Sequence, residues 1–317
     1  MNSPAVVVRD LVKTFHSKTG EVRAVDGLSF EVPHGVIFGL LGPNGAGKTT
    51  TLRILTTLVA PTSGYVRVAG HDPAHDGFAV RGSIAAVLQD NASEQFLSVR
   101  DNFLCYARLH GQDRAETDRR LPGIAERFGL ADELSEKAAD LSIGMRRRVQ
   151  VAKVFLVDAP ILFLDEATTG MDPFVKRIVL DGIRDSVRGG RTVVLTTQNL
   201  DEAERLCDDV LIMAHGKAVA RGAVSEVTSL YAPAVEVRVS FDEEPVGLEQ
   251  FLAPYHPVSS TFEGGRLTAR LSGSRRDAAR FLGVLAERYR VADFEVESAS
   301  LEDAFLEIVR RSREEPT

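Results

Sequence analysis

The sequence predicts an α/β protein in two parts. The first is a large domain on a buried parallel sheet, with an antiparallel β subdomain and a helical insertion. The second is a small C-terminal α+β domain. Three observations predict this. The glycine-rich stretch Gly42-Pro43-Asn44-Gly45-Ala46-Gly47-Lys48-Thr49 lies between an apolar run and a helix-like segment. Short apolar runs recur at 36–41, 84–88, 161–164 and 192–197, as buried parallel strands require. Beyond about residue 228 the pattern changes to a β-α-β-β-α-β order.

The 317 residues suffice for a large domain (1–228) and a smaller one (229–317). Net charge is −7, and nucleic-acid binding calls for a basic face, so no nucleic-acid partner is expected. Cys105 and Cys207 sit among apolar neighbours without metal or disulfide spacing, and read as reduced core thiols. The N-terminus lacks a signal-peptide pattern, and no apolar run is long enough to span a bilayer. Any membrane role is therefore expected through a partner.

Residues 5–35 read as two or three antiparallel strands around a turn at 17–20. Phe15, just before that turn, can stack on a base or serve as a half-buried strand residue. Residues 36–41 make a buried strand, and the stretch after it matches G-x-x-x-x-G-K-[ST] at every fixed position. Its glycines let backbone N–H groups converge on a phosphate, and the helix starting near Thr50 adds partial positive charge. Lys48 is expected to reach the β- and γ-phosphates, and the Thr49 hydroxyl to bind Mg²⁺. Strand, glycine loop and helix in this order predict a P-loop NTPase core that binds a nucleoside triphosphate.

A strand at 65–68 and a buried strand at 84–88 follow. The latter ends in Gln89, either a ligand-facing residue past a central strand or an ordinary loop residue. About 92–157 the pattern turns helical: Ser98 and Asp101 make a capping box, and helices are expected at 116–128 and 145–156. Ser142 and Gly144 stand before the last of these, as a second anion site or a plain N-cap. Arg146, Arg147 and Arg148 read mostly as solvated surface. Two carboxylates then emerge from the strand at 161–164. Asp165 can hold Mg²⁺ and Glu166 can polarise a water. The strand at 192–197 ends at Gln198; a helix at 201–207 and a hairpin around His215-Gly216 close the domain. In the C-terminal part, Gly264-Gly265 marks a hairpin, and Ser274/Asp277 and Ser300/Asp303 mark helix starts. No catalytic constellation occurs there, so packing, dimerisation or regulation is expected of it.

Taken together, these motifs resemble the nucleotide-binding subunit of an ABC transporter across about residues 5–225. The resemblance rests on the phosphate loop, Gln89, Leu141-Ser142-Ile143-Gly144-Met145, residues 161–166, Gly170-Met171-Asp172 and Thr196-Thr197-Gln198. Ala107-Arg108-Leu109-His110-Gly111, Gly144 to Arg148 and the tail at 300–306 are similar to the ABC-2 type export branch, which includes daunorubicin-resistance ATPases. The resemblance implies a RecA-like core and two copies that sandwich two Mg-ATP head to tail. Each nucleotide then lies between the phosphate loop of one copy and Ser142 and Gly144 of the other. It also implies that Phe15 stacks on adenine, Gln89 senses the γ-phosphate and helps hold the metal, Asp172 communicates across the interface, and Glu166 is the base. The implied partner is a separate ABC-2 type permease that keeps the chain on the cytoplasmic face of the membrane, powering efflux of a drug, antibiotic or lipid-like substrate. The alternative is a regulatory or soluble ABC ATPase. Three positions depart from the family pattern: Ile143 for a glycine, Ala167 for a proline, and Gln198 for the switch histidine. Glutamine can orient Glu166 but cannot take a proton. Hydrolysis is thus expected without a pH step from an imidazole at 198.

Overall fold

The computed structural model describes residues 3–17, 20–88, 94–231, 234–273 and 275–314. The chain divides into two compact units, Met1–Arg221 and Gly222–Thr317. In the first, β1 (Val6–Ser17) and β2 (Gly20–Val32) form a long antiparallel pair. After β3 (Ile37–Leu41) and α1 (Lys48–Leu55), β4 (Ser63–Val68) returns to pair with β1, giving the sheet order β2-β1-β4. The strands expected at 5–35 are therefore two, and the strand at 65–68 supplies the third.

Next come α2 (Gly77–Ser83), β5 (Ile84–Val87) and three helices of the insertion, α3 (Val99–Leu109), α4 (Arg114–Arg127) and α5 (Ile143–Leu156). The Ser98 hydroxyl accepts from Asp101 N at 3.0 Å, as the capping box predicts. β6 (Ile161–Asp165), α6 (Pro173–Arg188), β7 (Thr192–Thr196), α7 (Leu200–Leu206), β8 (Asp209–Ala214) and β9 (Lys217–Ala223) complete the second sheet, ordered β5-β6-β7-β3-β8-β9. The pairs from β5 to β8 are parallel. β3, β6 and β7 are buried along their whole length, which is why they read as unbroken apolar runs rather than as alternation. The two sheets share one core, where the Phe30 and Phe38 rings stack at 5.5 Å.

In the second unit α8 (Val224–Tyr231) precedes β10 (Ala234–Phe241), α9 (Leu248–Leu252), β11 (Ser259–Glu263), β12 (Arg266–Ser272), α10 (Arg275–Arg288), β13 (Val291–Ser298) and α11 (Leu301–Glu314). The antiparallel order β11-β12-β10-β13 is that of a ferredoxin-like sheet. Valines 235, 237 and 239 alternate inward against Phe251 and Phe281. α8 packs on α11 within this unit, and the chain passes from the first unit to the second between Arg221 and Gly222, ahead of the 228/229 boundary read from composition.

Three helices escaped the sequence reading: α2, α6 and α8. α6 had a start signal, Asp172 before Pro173, whose carboxylate accepts from Phe174 N and Val175 N at 3.1 Å. Cys207 is buried as expected, but Cys105 is exposed. It lies on the outer side of α3, whose core side carries Phe103 and Ala107. Ser274 lies outside the described residues.

Candidate nucleotide site

The parallel strands deliver their C-terminal ends to one edge, where ligands bind in open α/β sheets. β3 feeds the loop 42–47, and α1 starts directly behind it. Gly47, the N-cap, has φ 103°, and a β-carbon there would stand 2.4 Å from Ala24 O, so only glycine lets the loop close onto β2. A cleft of about 640 Å³ opens here, lined by Phe15, Val22, Arg23, Ala24, residues 44–50, Glu166 and His215. Phe15, about 40 % exposed, faces Val22 across the β1–β2 pair, with Lys13 Nζ 4.9 Å from its ring centroid. Asn44, Gly45, Ala46, Lys48, Thr49 and Thr50 line the cleft beside it.

Lys48 Nζ donates to Gly42 O at 2.7 Å and Pro43 O at 3.1 Å. Burial pushes its pKa down, while Glu166 and Asp165 pull it back up. Asp165 closes β6. Its Oδ1 accepts from Thr196 Oγ1 at 2.5 Å and stands 3.5 Å from Thr49 Oγ1. Its Oδ2 is buried and has no hydrogen-bond partner among the described residues. A buried anionic oxygen without a donor is costly unless a cation serves it. This oxygen, with the Thr49 hydroxyl, fits the hard oxygen donors that Mg²⁺ takes alongside nucleotide phosphates. Gln89, the other expected ligand, lies outside the described residues.

Glu166 follows in the left-handed region (φ 48°), which turns its side chain into the cleft. Its N–H donates to Thr196 O and lies 3.1 Å from Thr196 Oγ1. Gln198 Nε2 donates to Glu166 Oε1 at 2.6 Å. The residue at the switch position thus grips the carboxylate expected to act as base.

Ser142 caps α5, accepting from Met145 N at 3.2 Å. A β-carbon on Gly144 would meet open space. Neither residue lines the cleft that holds Lys48 and Glu166. Of the arginine run, Arg146 donates to Ala139 O and Leu141 O, and Arg148 pairs with Asp172 at 2.8 Å. Arg147 departs from the solvated reading: its guanidinium donates to Leu88 O, Gln150 Oε1, Asp165 O and Glu166 O at 2.9–3.1 Å. Burial lowers its pKa, and Asp165 and Glu166 oppose that. A run of three arginines gave no signal of which one turns inward.

A glycine loop at a helix N-terminus, faced by two carboxylates at the end of β6, two strands away in the same parallel sheet, defines a P-loop nucleoside triphosphatase. The ABC transporter family model matches residues 25–169. The daunorubicin/doxorubicin resistance ATP-binding protein of Streptomyces peucetius is 35 % identical over 305 residues, covering 95 % of this chain and 91 % of that protein. A Nod factor export ATP-binding protein of Paraburkholderia xenovorans (strain LB400) is 37 % identical over 238 residues, covering 74 % and 77 %. A solved ATP-binding subunit of an ABC transporter superposes with a TM-score of 0.67 at 27 % identity, covering 72 % of this chain and 93 % of the other. The chain belongs to the ABC transporter ATP-binding proteins, and it is an ATPase. Among the described residues no helix is long and apolar enough to cross a membrane.

Proposed function

We propose that the chain powers export through a separate membrane subunit of ABC-2 type, hydrolysing Mg-ATP in a head-to-tail homodimer. The observation that carries this is the split site. Lys48, Asp165 and Glu166 converge on one cleft, while Ser142 and Gly144 stand outside it at a helix N-terminus built for an anion. A second copy is the simplest source of the missing wall. The names of the two relatives, drug resistance and Nod factor export, support efflux of a drug, antibiotic or lipid-like substrate as the work done.

In this reading adenine stacks on Phe15, and Lys48 exchanges the Gly42 and Pro43 carbonyls for β- and γ-phosphate oxygens. Thr49 and Asp165, with Gln89, hold Mg²⁺, which neutralises charge developing on the phosphates. Glu166 takes the proton of the attacking water as the β–γ bridging bond breaks, and Gln198 holds Oε1 toward that water. The second unit serves regulation or dimerisation, and the permease keeps the protein peripheral on the cytoplasmic face of the membrane.

The test is Glu166→Gln with Mg-ATP. Turnover should fall by roughly 10²–10⁴ with nucleotide still bound, the range for loss of a general base. The mass in solution should double. A variant that turns over normally would remove Glu166 as the base, and one that stays monomeric at high concentration would remove the sandwich.

A further inference from the structure

One side chain behind Glu166 makes four hydrogen bonds among the described residues, and no role above uses it. Arg147 lies on α5, one helical turn beyond Gly144. Its Nη1 reaches Leu88 O, the last described residue before Gln89, at 3.1 Å. Its Nη2 reaches Asp165 O at 3.0 Å and Glu166 O at 2.9 Å. The carbonyls of 165 and 166 flank the residue whose backbone is left-handed, a conformation that a residue with a β-carbon rarely adopts. The guanidinium therefore fastens both sides of the twist that aims Glu166 into the cleft. Its planar fork of donors suits several fixed carbonyls at once, which an ammonium does not match.

We infer that Arg147 is a positioning residue that links the two nucleotide sites of the dimer: the helix whose N-terminus meets the partner's nucleotide also holds this chain's own base. This rests on the sandwich reading above. Ser142 and Gly144 engage ATP bound by the second copy, and any small shift of α5 that this causes is carried by Arg147 to Leu88 and Glu166. The route is short and covalently continuous along one helix, with hydrogen bonds only at its far end. Occupancy of one site then tunes the geometry of the base in the other.

The test uses the full-length chain with Arg147→Met and Arg147→Lys. Phosphate release is followed against ATP concentration, and affinity is measured separately with a fluorescent ATP analogue. The native protein should show a Hill coefficient above one. In Arg147→Met the turnover should fall at least about tenfold, with affinity held within about twofold, since the contact serves the base rather than ground-state binding. Its Hill coefficient should fall toward one. Arg147→Lys keeps the charge but not the fork and should lie between, and it carries the test if the methionine variant does not fold.

Native turnover and cooperativity in both variants would overturn the link. So would a non-cooperative native enzyme, or a loss of affinity as large as the loss of turnover. A monomeric Glu166→Gln chain in Mg-ATP would instead overturn the sandwich itself. A dimer whose cooperativity ignores Arg147 overturns the link alone.

Discussion

At the scale of single residues the site is a set of short tethers around two carboxylates. Gln198 is the informative one. Its amide holds Glu166 at 2.6 Å, where an imidazole would both hold and titrate. Turnover of the native enzyme should carry no acid limb from position 198. Gln198→His would place a group of ordinary pKa near 6.5 against the proposed base, and below that pH the imidazolium would pair with Glu166 and draw it from proton transfer. The variant's pH–rate profile should therefore bend downward on the acid side where the native one does not. An unchanged rate and profile would strip the residue of this significance. Lys153 is a different kind of singular residue. It is buried in α5, with its ammonium 5.2 Å from the Tyr106 ring centroid. Burial pushes its pKa down to about 8 from 10.5, with Glu94 and Cys105 opposing. A lysine whose folded pKa is depressed destabilises the fold while charged in both states, below about pH 8. That penalty is relieved as pH rises from about 8 to 10.5. The shift corresponds to about 3 kcal/mol, at 1.36 kcal/mol per unit. Lys153→Met should raise the thermal midpoint at pH 7 and narrow its lead over the native chain at pH 10, which paired melting curves would check.

At the scale of elements, most of what positions the site was legible in the sequence. β3, β6 and β7 are buried on both faces, so their apolar runs announced them, and polar residues marked where each strand reaches the cleft. Capping chemistry located the starts of α3 and α11: Ser300 and Asp303 satisfy each other's backbone N–H groups, as Ser98 and Asp101 suggested at the earlier helix. Two of the three missed helices share a cause. α2 and α8 are short, with one buried side chain each, Val80 and Val227, and so carry little periodicity to read. The first helix between the strands of the second unit, α9, is confined to Leu248–Leu252, after Gly247 in the left-handed region. Arg147 was hidden for a further reason. Three of its partners are main-chain carbonyls of residues 59, 18 and 19 positions away, and no side-chain pattern encodes them.

At the scale of the whole molecule, the proposed sandwich has each chain supply one half of two sites. The phosphate loop was readable at once because its chemistry is local. The second wall that the proposed sandwich requires is not local: it would be a helix N-terminus, Ser142 to Gly144, that stands outside the cleft of its own chain. Between those two residues stands Ile143, about 80 % exposed, where the family pattern has a glycine. In the closed dimer each copy would carry this side chain out of water and onto its partner's loop. Burying an isoleucine is worth about 1.5–3 kcal/mol, and that gain is entropic near room temperature and carries a negative heat capacity. Closure should therefore tighten on warming. Calorimetric titration of the Glu166→Gln chain with Mg-ATP should give a more negative heat capacity of closure than the same chain carrying Ile143→Gly. Equal values would deny the side chain a place in the seam. Through one aliphatic residue, the sandwich would answer to temperature as well as to nucleotide.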